Sequence, residues 1–372
     1  MSIINLQDKN LYYIGGVVRD EILNKKSFDI DITYVGNAIE FAKNIPNAEI
    51  VQINEPFGTV RIKLEGQEID IASTRGEFYP QKGHLPVVKD IGCSLKEDVL
   101  RRDFTINALA KSTQTGEIID YTNGREDIKN KTLRILHDNS FVDDPTRIVR
   151  GLKFSVRFGF ELDNHTKKLQ DEYLENINYD MSYKRLKKEL IETFNLNSPL
   201  AFEKFISQKI YKLISPNNTN IHFDITKIKQ IQQLIIKHSP QNIWVIYVGL
   251  FPDISNLPLT KIEKQIIENY KQIQTKTPKT DFEIYKTFES VNLESIIMYS
   301  YNDFSTVEKY FNKLKNIKIQ INGHNILQKL GIKPSNKYQQ CFDFILKEKL
   351  QNPNLTKEDE IKLAKEFFTT NE

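Results

Sequence analysis

Two carboxylates stand two positions apart in the segment FDIDITYV, in which apolar and polar residues alternate. In a β-strand, residues i and i+2 point to the same face, so Asp29 and Asp31 should converge there. Carboxylate oxygens suit Mg²⁺, which completes its coordination shell with water and nucleotide phosphates. Gly15 and Gly16 lie between a predicted strand and a predicted helix, where backbone N–H groups can approach a triphosphate. Each feature also has an ordinary interpretation, because such carboxylates often line a solvated strand and Gly-Gly often marks a turn.

A second pair of side chains has the chemistry to read a base. Asp144 and Arg147 are three residues apart at the predicted start of a helix and should project the same way. A carboxylate accepts a hydrogen bond from an exocyclic amino group, and a guanidinium donates to a ring nitrogen. Cytosine and adenine present an amino group beside an acceptor nitrogen, whereas uracil and guanine present a carbonyl beside a ring N–H. The pair can therefore accept C and A and reject U and G. The alternative is a helix N-cap at Asp144, with Pro145 as the first helical residue, and an ordinary helix ion pair.

Arginine is confined to the first half of the chain. The sequence has 11 Arg and 41 Lys, the last arginine is Arg185, and 24 Lys follow residue 200. Abundant Lys, Asn and Ile indicate AT-biased coding, under which Lys replaces Arg wherever Lys serves. The remaining arginines are then expected where a planar, forked donor is needed for phosphate, carboxylate or a base edge.

Length and composition limit the class of protein. A chain of 372 residues predicts two or three domains, and a hydrophobic content of 39% argues against wholesale disorder. Cys93 and Cys341 are too few for a disulfide framework or a zinc site. We expect no secretory leader, and the longest apolar stretch, residues 243–251, is too short to cross a bilayer. The net charge of +3 does not by itself indicate a nucleic-acid partner.

The order of predicted elements favours a mixed α/β head followed by a long helical arm. Strands are expected in LYYI, FDIDITYV, GTVRIKL and QEIDIAST, the last two as a hairpin. One continuous helix is expected over residues 95–112, and strand signals fade after residue 125. Beyond residue 200, amphipathic helices alternate with breaks rich in Pro and Asn. The predicted domains are a head over residues 1–128, a helical neck over 129–200, and a helical body and tail over 201–372.

Six sequence blocks occur in a characteristic order. The block IGGVVRDEILNKKSFDIDIT is followed by EPFGTVRI, IDIASTRGEFYPQKGHLPVV, LKEDVLRRDFTINALA, GEIIDYTNGREDIKNKTLRIL and SFVDDPTRIVRGLKFSVRFGFEL. They resemble the class II tRNA nucleotidyltransferase (CCA-adding enzyme) and bacterial poly(A) polymerase family, over about residues 10–195. Weaker similarity continues in INGHNILQKLGIKPSNKYQQ. The resemblance implies an α+β polymerase-β-like nucleotidyltransferase head followed by an all-α neck, body and tail.

The resemblance also implies roles for individual residues. Asp29 and Asp31 would hold two Mg²⁺ ions that align an RNA 3′-hydroxyl with the α-phosphate. Asp70 would be either a third acid near that hydroxyl or a structural residue. Asp103 and Asn107 are expected on one face of a helix, the alternative being a surface Asp–Arg pair beside a buried stripe. The nucleotide-binding residues would be Gly15, Gly16, Arg19, Asp20, Arg102, Asp103, Asn107, Asp144, Arg147, Arg150 and Lys153.

Some positions depart from the family's pattern, and one pair of residues has two possible interpretations. Lys153 stands where the family usually has Arg, and Asp143 replaces the usual Glu. Arg185 and Glu189, four residues apart on a predicted helix, resemble the neck motif or form an ordinary helix pair. Residues 75–86 correspond to the family's flexible loop near the active site, and the presence of the loop favours a member that adds A.

The sequence therefore predicts an RNA nucleotidyltransferase that adds C, C and A to the tRNA 3′ end. CTP and ATP would be its substrates, Mg²⁺ its cofactor and pyrophosphate its product, without a nucleic-acid template. The alternatives are an A-only tRNA-adding enzyme, a poly(A) polymerase, or a non-catalytic RNA-binding relative, which intact Asp29, Asp31 and Asp103 disfavour. The helical second half of the chain, which carries many lysines, should bind the phosphates of the tRNA acceptor arm. We expect a cytoplasmic protein with no membrane association and no obligate protein partner.

Overall fold

The structure, a computed structural model, describes residues 6–27, 30–215 and 221–370. Asp29, one of the two predicted metal ligands, lies outside the described residues. Contacts within the chain separate two compact units, and the predicted head and neck fall in the same one. The predicted domain boundaries at residues 128 and 200 stay predictions. The first unit is Met1–Ile221 with Ser255–Pro258, and the second is His222–Ile254 with Leu259–Glu372.

The first unit combines a mixed sheet with helices. Its strands are β1 (Leu11–Ile14), β2 (Asp31–Tyr34), β3 (Glu49–Asn54), β4 (Thr59–Leu64), β5 (Gln67–Ser73), β6 (Arg75–Phe78), β7 (Val87–Ile91), β8 (Leu109–Ser112), β9 (Ile118–Asp120), β10 (Thr132–Leu133) and β11 (Glu161–Leu162). Its helices are α1 (Gly16–Ile22), α2 (Ala38–Lys43), α3 (Leu95–Leu100), α4 (Gly124–Lys129), α5 (Ser140–Asp143), α6 (Thr146–Phe158), α7 (Asn164–Glu175), α8 (Tyr183–Phe194) and α9 (Pro199–Ser207).

The head sheet places the ends of two strands beside each other. Among the described residues it has seven strands in the order β3-β4-β5-β2-β1-β8-β9. The predicted hairpin of β4 and β5 is present, and β5 runs parallel to β2. Ile62, Ile69 and Ile71 alternate along the hairpin and are buried under α2. The parallel register puts Asp31 directly opposite Asp70.

The prediction of a single helix over residues 95–112 is wrong. Helix α3 ends at Leu100, a 3₁₀ turn covers Thr105–Asn107, and β8 begins at Leu109. The carboxylate of Asp103 accepts a hydrogen bond from the next backbone N–H at 2.8 Å, a local contact that competes with helix formation. The last residues of the segment instead pair with β1 at the centre of the sheet. Tertiary pairing therefore overrides the helical periodicity.

Three other expectations change in detail. Helix α6 begins at Thr146, one residue later than predicted, and Asp144 accepts from the Thr146 N–H at 3.2 Å across Pro145. The segment predicted as a flexible loop contains β6, which pairs with β7 to form a hairpin. Beyond residue 125, where strand signals fade, β10 and β11 still form a short parallel pair.

The second unit is helical in its described elements, as the sequence predicts. Its buried Glu360 accepts hydrogen bonds from the backbone N–H groups of Gln320 and Ile321, at 2.6 and 3.0 Å, and pairs with Lys349. No helix among the described residues is both long and apolar enough to span a membrane. The helices are α10 (Ile225–His238), α11 (Ile243–Val248), α12 (Lys261–Ile273), α13 (Asp281–Phe288), α14 (Leu293–Tyr299), α15 (Phe304–Lys309), which continues as a π-helix over Tyr310–Leu314, α16 (Gly323–Leu330), α17 (Lys337–Gln351) and α18 (Lys357–Thr370).

Candidate active site

A cavity of about 870 Å³ in the first unit collects most of the predicted site. Its walls come from the β1–α1 turn, the start of β2, the β6–β7 hairpin, the segment after α3, and helices α6 and α8. Nine cationic side chains and six carboxylates line it, so the cavity has an excess of positive charge. The predicted residues that it brings together are Gly15, Gly16, Arg19, Asp31, Arg102, Asp103, Asn107, Asp144, Arg147, Arg150 and Lys153.

The β1–α1 turn lies against an arginine. Gly15 has a φ of +72°, and a Cβ at this position would come within 2.8 Å of Arg102 Nη1. The backbone conformation, with a ψ of −124°, therefore requires glycine, and a Cβ would also displace the Arg102 guanidinium. Arg102 donates to Asp98 at 3.3 Å, while its buried Nε has no hydrogen-bond partner among the described residues. Burial lowers the pKa of Arg102. An orphaned donor of this kind is a feature that a bound anion can relieve.

Asp103 organises the floor of the cavity. Its Oδ1 accepts from Asn107 Nδ2 at 2.9 Å, and its Oδ2 accepts from Arg150 Nε at 2.7 Å. Burial opposes ionisation of Asp103, yet Arg150, Asn107 and Arg147 together hold the pKa of its carboxyl well below the ordinary value. The predicted proximity of Asp103 and Asn107 is thus observed, although a 3₁₀ turn and not an α-helix produces it. The alternative of a surface pair is excluded by the burial of Asp103.

Arg19 and Asp20 differ in their position relative to the cavity. Arg19 lines the cavity and donates to Asn107 Oδ1 at 2.5 Å, while its guanidinium carbon lies 4.6 Å from the centre of the Phe158 ring. Asp20 does not line the cavity; it accepts from Arg19 at 2.7 and 2.9 Å and lies 3.5 Å from Arg157. Asp20 therefore acts on the cavity by orienting arginines of α1 and α6.

The predicted base-reading pair lies on one wall, but its members do not contact each other through their side chains. Arg147 donates to Ser140 Oγ at 2.7 Å, to the Tyr79 hydroxyl at 3.2 Å and to a backbone carbonyl. Asp144 accepts from Arg185 Nη2 at 2.5 Å. The alternative of a simple ion pair between Asp144 and Arg147 is therefore not what the structure contains, and both groups face the same cavity.

Two carboxylates of α8, Glu189 and Glu192, hold cationic side chains of α6. Glu189 does not pair with Arg185; it contacts Arg150 at 3.3 Å and Lys153 at 2.7 Å. Lys153 also contacts Glu192 at 2.5 Å, so its ammonium group is held by two residues of α8. The concentration of arginine in the first half signals several cavity residues that the predicted site omits. The lining residues outside the prediction include Phe57, Arg75, Glu77, Tyr79, Arg101, Arg157, Arg185, Glu189 and Glu192.

Asp31 and Asp70 are neighbours with different surroundings. Asp31 is exposed and lines the cavity, whereas Asp70 does not. Both carboxylate oxygens of Asp70 accept from Arg61, at 2.8 and 2.9 Å. Within the described ranges, no group of three or more His, Cys, Asp or Glu side chains is placed to hold a metal ion. Asp31 is thus the described carboxylate of the predicted catalytic set that faces the cavity.

Comparison with known proteins identifies the head. Residues 11–134 match the family model of the poly(A) polymerase head domain. This region is similar to poly(A) polymerase head domains. An A-adding tRNA nucleotidyltransferase of Halalkalibacterium halodurans is 28% identical to the chain, over 96% of the chain and 89% of that protein. An A-adding enzyme of Aquifex aeolicus is 30% identical over 87% of the chain, which spans only 43% of that longer protein.

Solved structures of CCA-adding enzymes resemble the chain over nearly its whole length. An apo form superimposes with a TM-score of 0.81 at 26% identity, covering 97% of the chain and 91% of that structure. A Thermotoga maritima CCA-adding enzyme complexed with tRNA gives 0.76 at 25% identity, with the same coverage. A CCA-adding enzyme complexed with CTP gives 0.78 at 25% identity, covering 97% and 90%. The comparisons confirm the predicted family resemblance, the predicted fold class and the predicted class of enzyme, an RNA nucleotidyltransferase.

Proposed function

We propose that the chain rebuilds the CCA end of tRNA from CTP and ATP, without a nucleic-acid template. One observation carries the proposal: Asp144 and Arg147 share a single cavity with Asp31 and with a surplus of cationic side chains. A nucleoside triphosphate needs such a combination, because its base must be read at one end while its phosphates are neutralised at the other.

The base would be read by Asp144 and Arg147. The Asp144 carboxylate accepts from the exocyclic amino group of cytosine or adenine, and the Arg147 guanidinium donates to the adjacent ring nitrogen. Both side chains are almost fully buried, so each hydrogen bond is made away from bulk water. Uracil and guanine would place a carbonyl against the carboxylate and an N–H against the guanidinium.

The triphosphate would lie against the β1–α1 turn. Gly15 leaves room for close approach of the backbone, and Arg102 behind it retains an unpaired Nε donor. Asp103 and Asn107 are held by Arg150 and Arg19, which fixes the hydrogen-bonding surface that a ribose would meet. Positioning and charge neutralisation by these groups supply the catalysis that phosphoryl and nucleotidyl transfer require.

Mg²⁺ is the proposed cofactor. The donor set fits it, because the exposed carboxylate of Asp31 faces a cavity able to hold phosphates, and Mg²⁺ uses one or two carboxylates together with phosphates and water. Asp29 would be the second ligand on sequence grounds. When bound, the metal would neutralise phosphate charge and polarise the RNA 3′-hydroxyl. Asp70 is proposed as a structural residue, since Arg61 occupies both of its oxygens.

The proposed RNA substrate is the acceptor arm of tRNA. A similar enzyme is known in complex with tRNA, which supports the assignment. Lysines of the helical arm would contact phosphates without reading sequence. A-only addition is the second candidate, because the similar enzymes of Halalkalibacterium halodurans and Aquifex aeolicus are A-adding.

One set of substrates tests the proposal. Transfer RNAs ending before CCA, after C and after CC would be incubated with CTP, ATP or both, and their 3′ ends sequenced. Full CCA addition predicts that all three are completed when both nucleotides are present. Extension of the CC-ending tRNA alone, with ATP, would establish A-only addition. Long A tails on unrelated RNA would point to poly(A) polymerase, and no incorporation on any RNA would contradict the proposal.

A further inference from the structure

One guanidinium joins the proposed base-reading carboxylate to the β6–β7 hairpin. Arg185, on α8, donates through Nη2 to Asp144 Oδ2 at 2.5 Å and through Nη1 to the backbone carbonyl of His84 at 3.1 Å. His84 lies in the connection between β6 and β7. The two contacts use the two arms of the guanidinium fork, so they fix its plane as well as its position.

Every oxygen of the Asp144 carboxylate has a donor. Oδ1 accepts from the Thr146 backbone N–H at 3.2 Å and from the Thr146 hydroxyl at 2.6 Å, and Oδ2 accepts from Arg185. The Asp144 side chain is 7% exposed, so water contributes little to its environment. Its orientation is therefore set by Thr146 on one side and by Arg185 on the other. An oxygen can accept two hydrogen bonds, which leaves room on Oδ2 for an amino group of a base.

Discrimination between bases depends on the orientation of the Asp144 carboxylate. An oriented carboxylate that only accepts hydrogen bonds repels the carbonyl of uracil or guanine. A carboxylate that rotates freely can turn its oxygens away from that carbonyl and so tolerate the wrong base. Removing the cation that holds one oxygen of a buried carboxylate favours this rotation, because that oxygen loses its donor.

We propose that Arg185 is a specificity-determining positioning residue that keeps the Asp144 carboxylate oriented, and thereby excludes UTP and GTP. The inference rests on the proposed function of Asp144 as a base reader. It gives Arg185 a role in selection in place of the pairing with Glu189 that its sequence position predicts. Lys cannot reproduce this arrangement, since a single ammonium nitrogen lacks the planar fork that spans Asp144 and the His84 carbonyl.

A purely structural role would have a different signature. If Arg185 only fastened α8 to the β6–β7 connection, its removal would slow incorporation of all four nucleotides in the same proportion. A selective role changes the ratio between them. The ratio of kcat/KM values is therefore the decisive quantity, because it is unaffected by the fraction of enzyme that is active.

The experiment measures single-nucleotide addition to tRNA ending in C or CC, with CTP, ATP, UTP and GTP separately. The enzymes are the wild type, Arg185→Gln, Arg185→Lys and Arg134→Gln. Arg134 is a matched control: it pairs with two carboxylates of the same unit, Asp127 and Asp163, but does not line the cavity. Thermal unfolding of each variant reports whether it is folded, and Arg185→Lys keeps the test valid if Arg185→Gln does not fold.

We expect Arg185→Gln to lower the CTP:UTP and ATP:GTP ratios by about tenfold or more, the value of one charge-assisted hydrogen bond. Arg185→Lys should restore part of this loss, and Arg134→Gln should leave both ratios unchanged. Combining Arg185→Gln with Asp144→Asn should cost less selectivity than the two separate losses added together, since both act on one group. Unchanged ratios in both folded Arg185 variants would overturn the inference. Failure of the wild type to add C or A would instead contradict the proposed function.

Discussion

Arg150 reaches Asp103 with two nitrogens, since Nε and Nη2 each lie 2.7 Å from the same carboxylate oxygen. Asp103 follows α3 of the head, and Arg150 belongs to α6. The Asp103 side chain is 8% exposed and the Arg150 side chain 33%. Two walls of the cavity are thus held together by one largely buried ion pair, whose loss should affect both stability and nucleotide binding.

Asp103→Asn should lower the free energy of unfolding by about 2–3 kcal/mol. This is less than the about 3–5 kcal/mol expected for breaking a fully buried pair, because Arg150 is partly solvated. Asp171→Asn is the control: it removes an exposed pair with Lys167 and should cost less than about 1 kcal/mol. Urea unfolding of both variants measures the difference. Equal losses of unfolding free energy in the two variants would show that the Asp103–Arg150 pair stabilises the fold no more than an exposed pair does.

The same variant should alter the pH dependence of stability. The folded-state pKa of Asp103 is lowered, so its contribution is complete above the unfolded pKa of about 4 and is lost as the pH falls through the folded value. Unfolding free energies at about pH 7 and about pH 3 should therefore differ more for the wild type than for Asp103→Asn. If the wild type and Asp103→Asn lost the same unfolding free energy between these two pH values, the lowered pKa of Asp103 would be contradicted.

Gly15→Ala should impair nucleotide binding more than backbone strain alone explains. The added Cβ would displace the Arg102 guanidinium, and a positive φ costs an L-residue about 1–2 kcal/mol. Gly116 also has a φ of +72°, but the nearest heavy atom to its added Cβ would be 3.9 Å away, so Gly116→Ala is a control for a positive φ without the clash. We expect Gly15→Ala to lose at least as much stability as Gly116→Ala, because the ψ of −124° at Gly15 lies outside the left-handed region open to L-residues. Only Gly15→Ala should raise the KM for CTP and ATP, by about tenfold.

Asp31→Asn should abolish nucleotide incorporation, whereas Asp70→Asn should retain most of it. Asp31 faces the cavity, and Asp70, its neighbour in register, is occupied by Arg61 outside the cavity. Neutralising Asp70 should change stability little, because the Arg61–Asp70 pair is exposed. Single-turnover addition with CTP at saturating Mg²⁺ measures both variants. Loss of activity in Asp70→Asn, with the protein folded, would assign it the catalytic role that the sequence left open.

His137 should make the protein less stable in mild acid. Burial, and then Arg147, lower its pKa below the ordinary value of 6.5, and its Nε2 lies 3.4 Å from Arg147 Nη1. The unfolded chain therefore takes up the proton first, and stability is lost as the pH falls from about 6.5 towards the folded-state pKa. His137→Gln removes the titration and should lose less stability than the wild type between about pH 7 and pH 5. The thermal midpoint at each pH provides the measurement, and parallel losses would refute the expectation.

The sequence predicts the residues of the cavity better than the contacts among them. Asp103 and Asn107 are neighbours, but a 3₁₀ turn brings them together, and the hydrophobic periodicity of the segment does not predict this turn. Apolar residues at helical spacing run through 95–112, and only the availability of β1 as a partner decides that the last residues form a strand. Such non-local pairing is invisible to a local pattern.

The partners of Arg185 show the same limit. Spacing along one helix favours Glu189, whereas the fold offers Asp144, which lies 41 residues earlier in the chain. Glu189 is in turn occupied by Arg150 and Lys153 of α6. The choice depends on how α6, α8 and the β6–β7 hairpin pack, and helix-local rules do not contain that information.

Eight of the 11 arginines line one cavity. A guanidinium does not lose its proton at any pH at which proteins are folded, so these charges persist through the pH range of an assay. Their side chains are at most 33% exposed, so salt should screen them less than lysines on an open surface, whose attraction for RNA fades beyond about 8–10 Å at physiological ionic strength. Rising salt should consequently release the RNA while the nucleotide stays bound, which makes the two substrates separable by ionic strength alone.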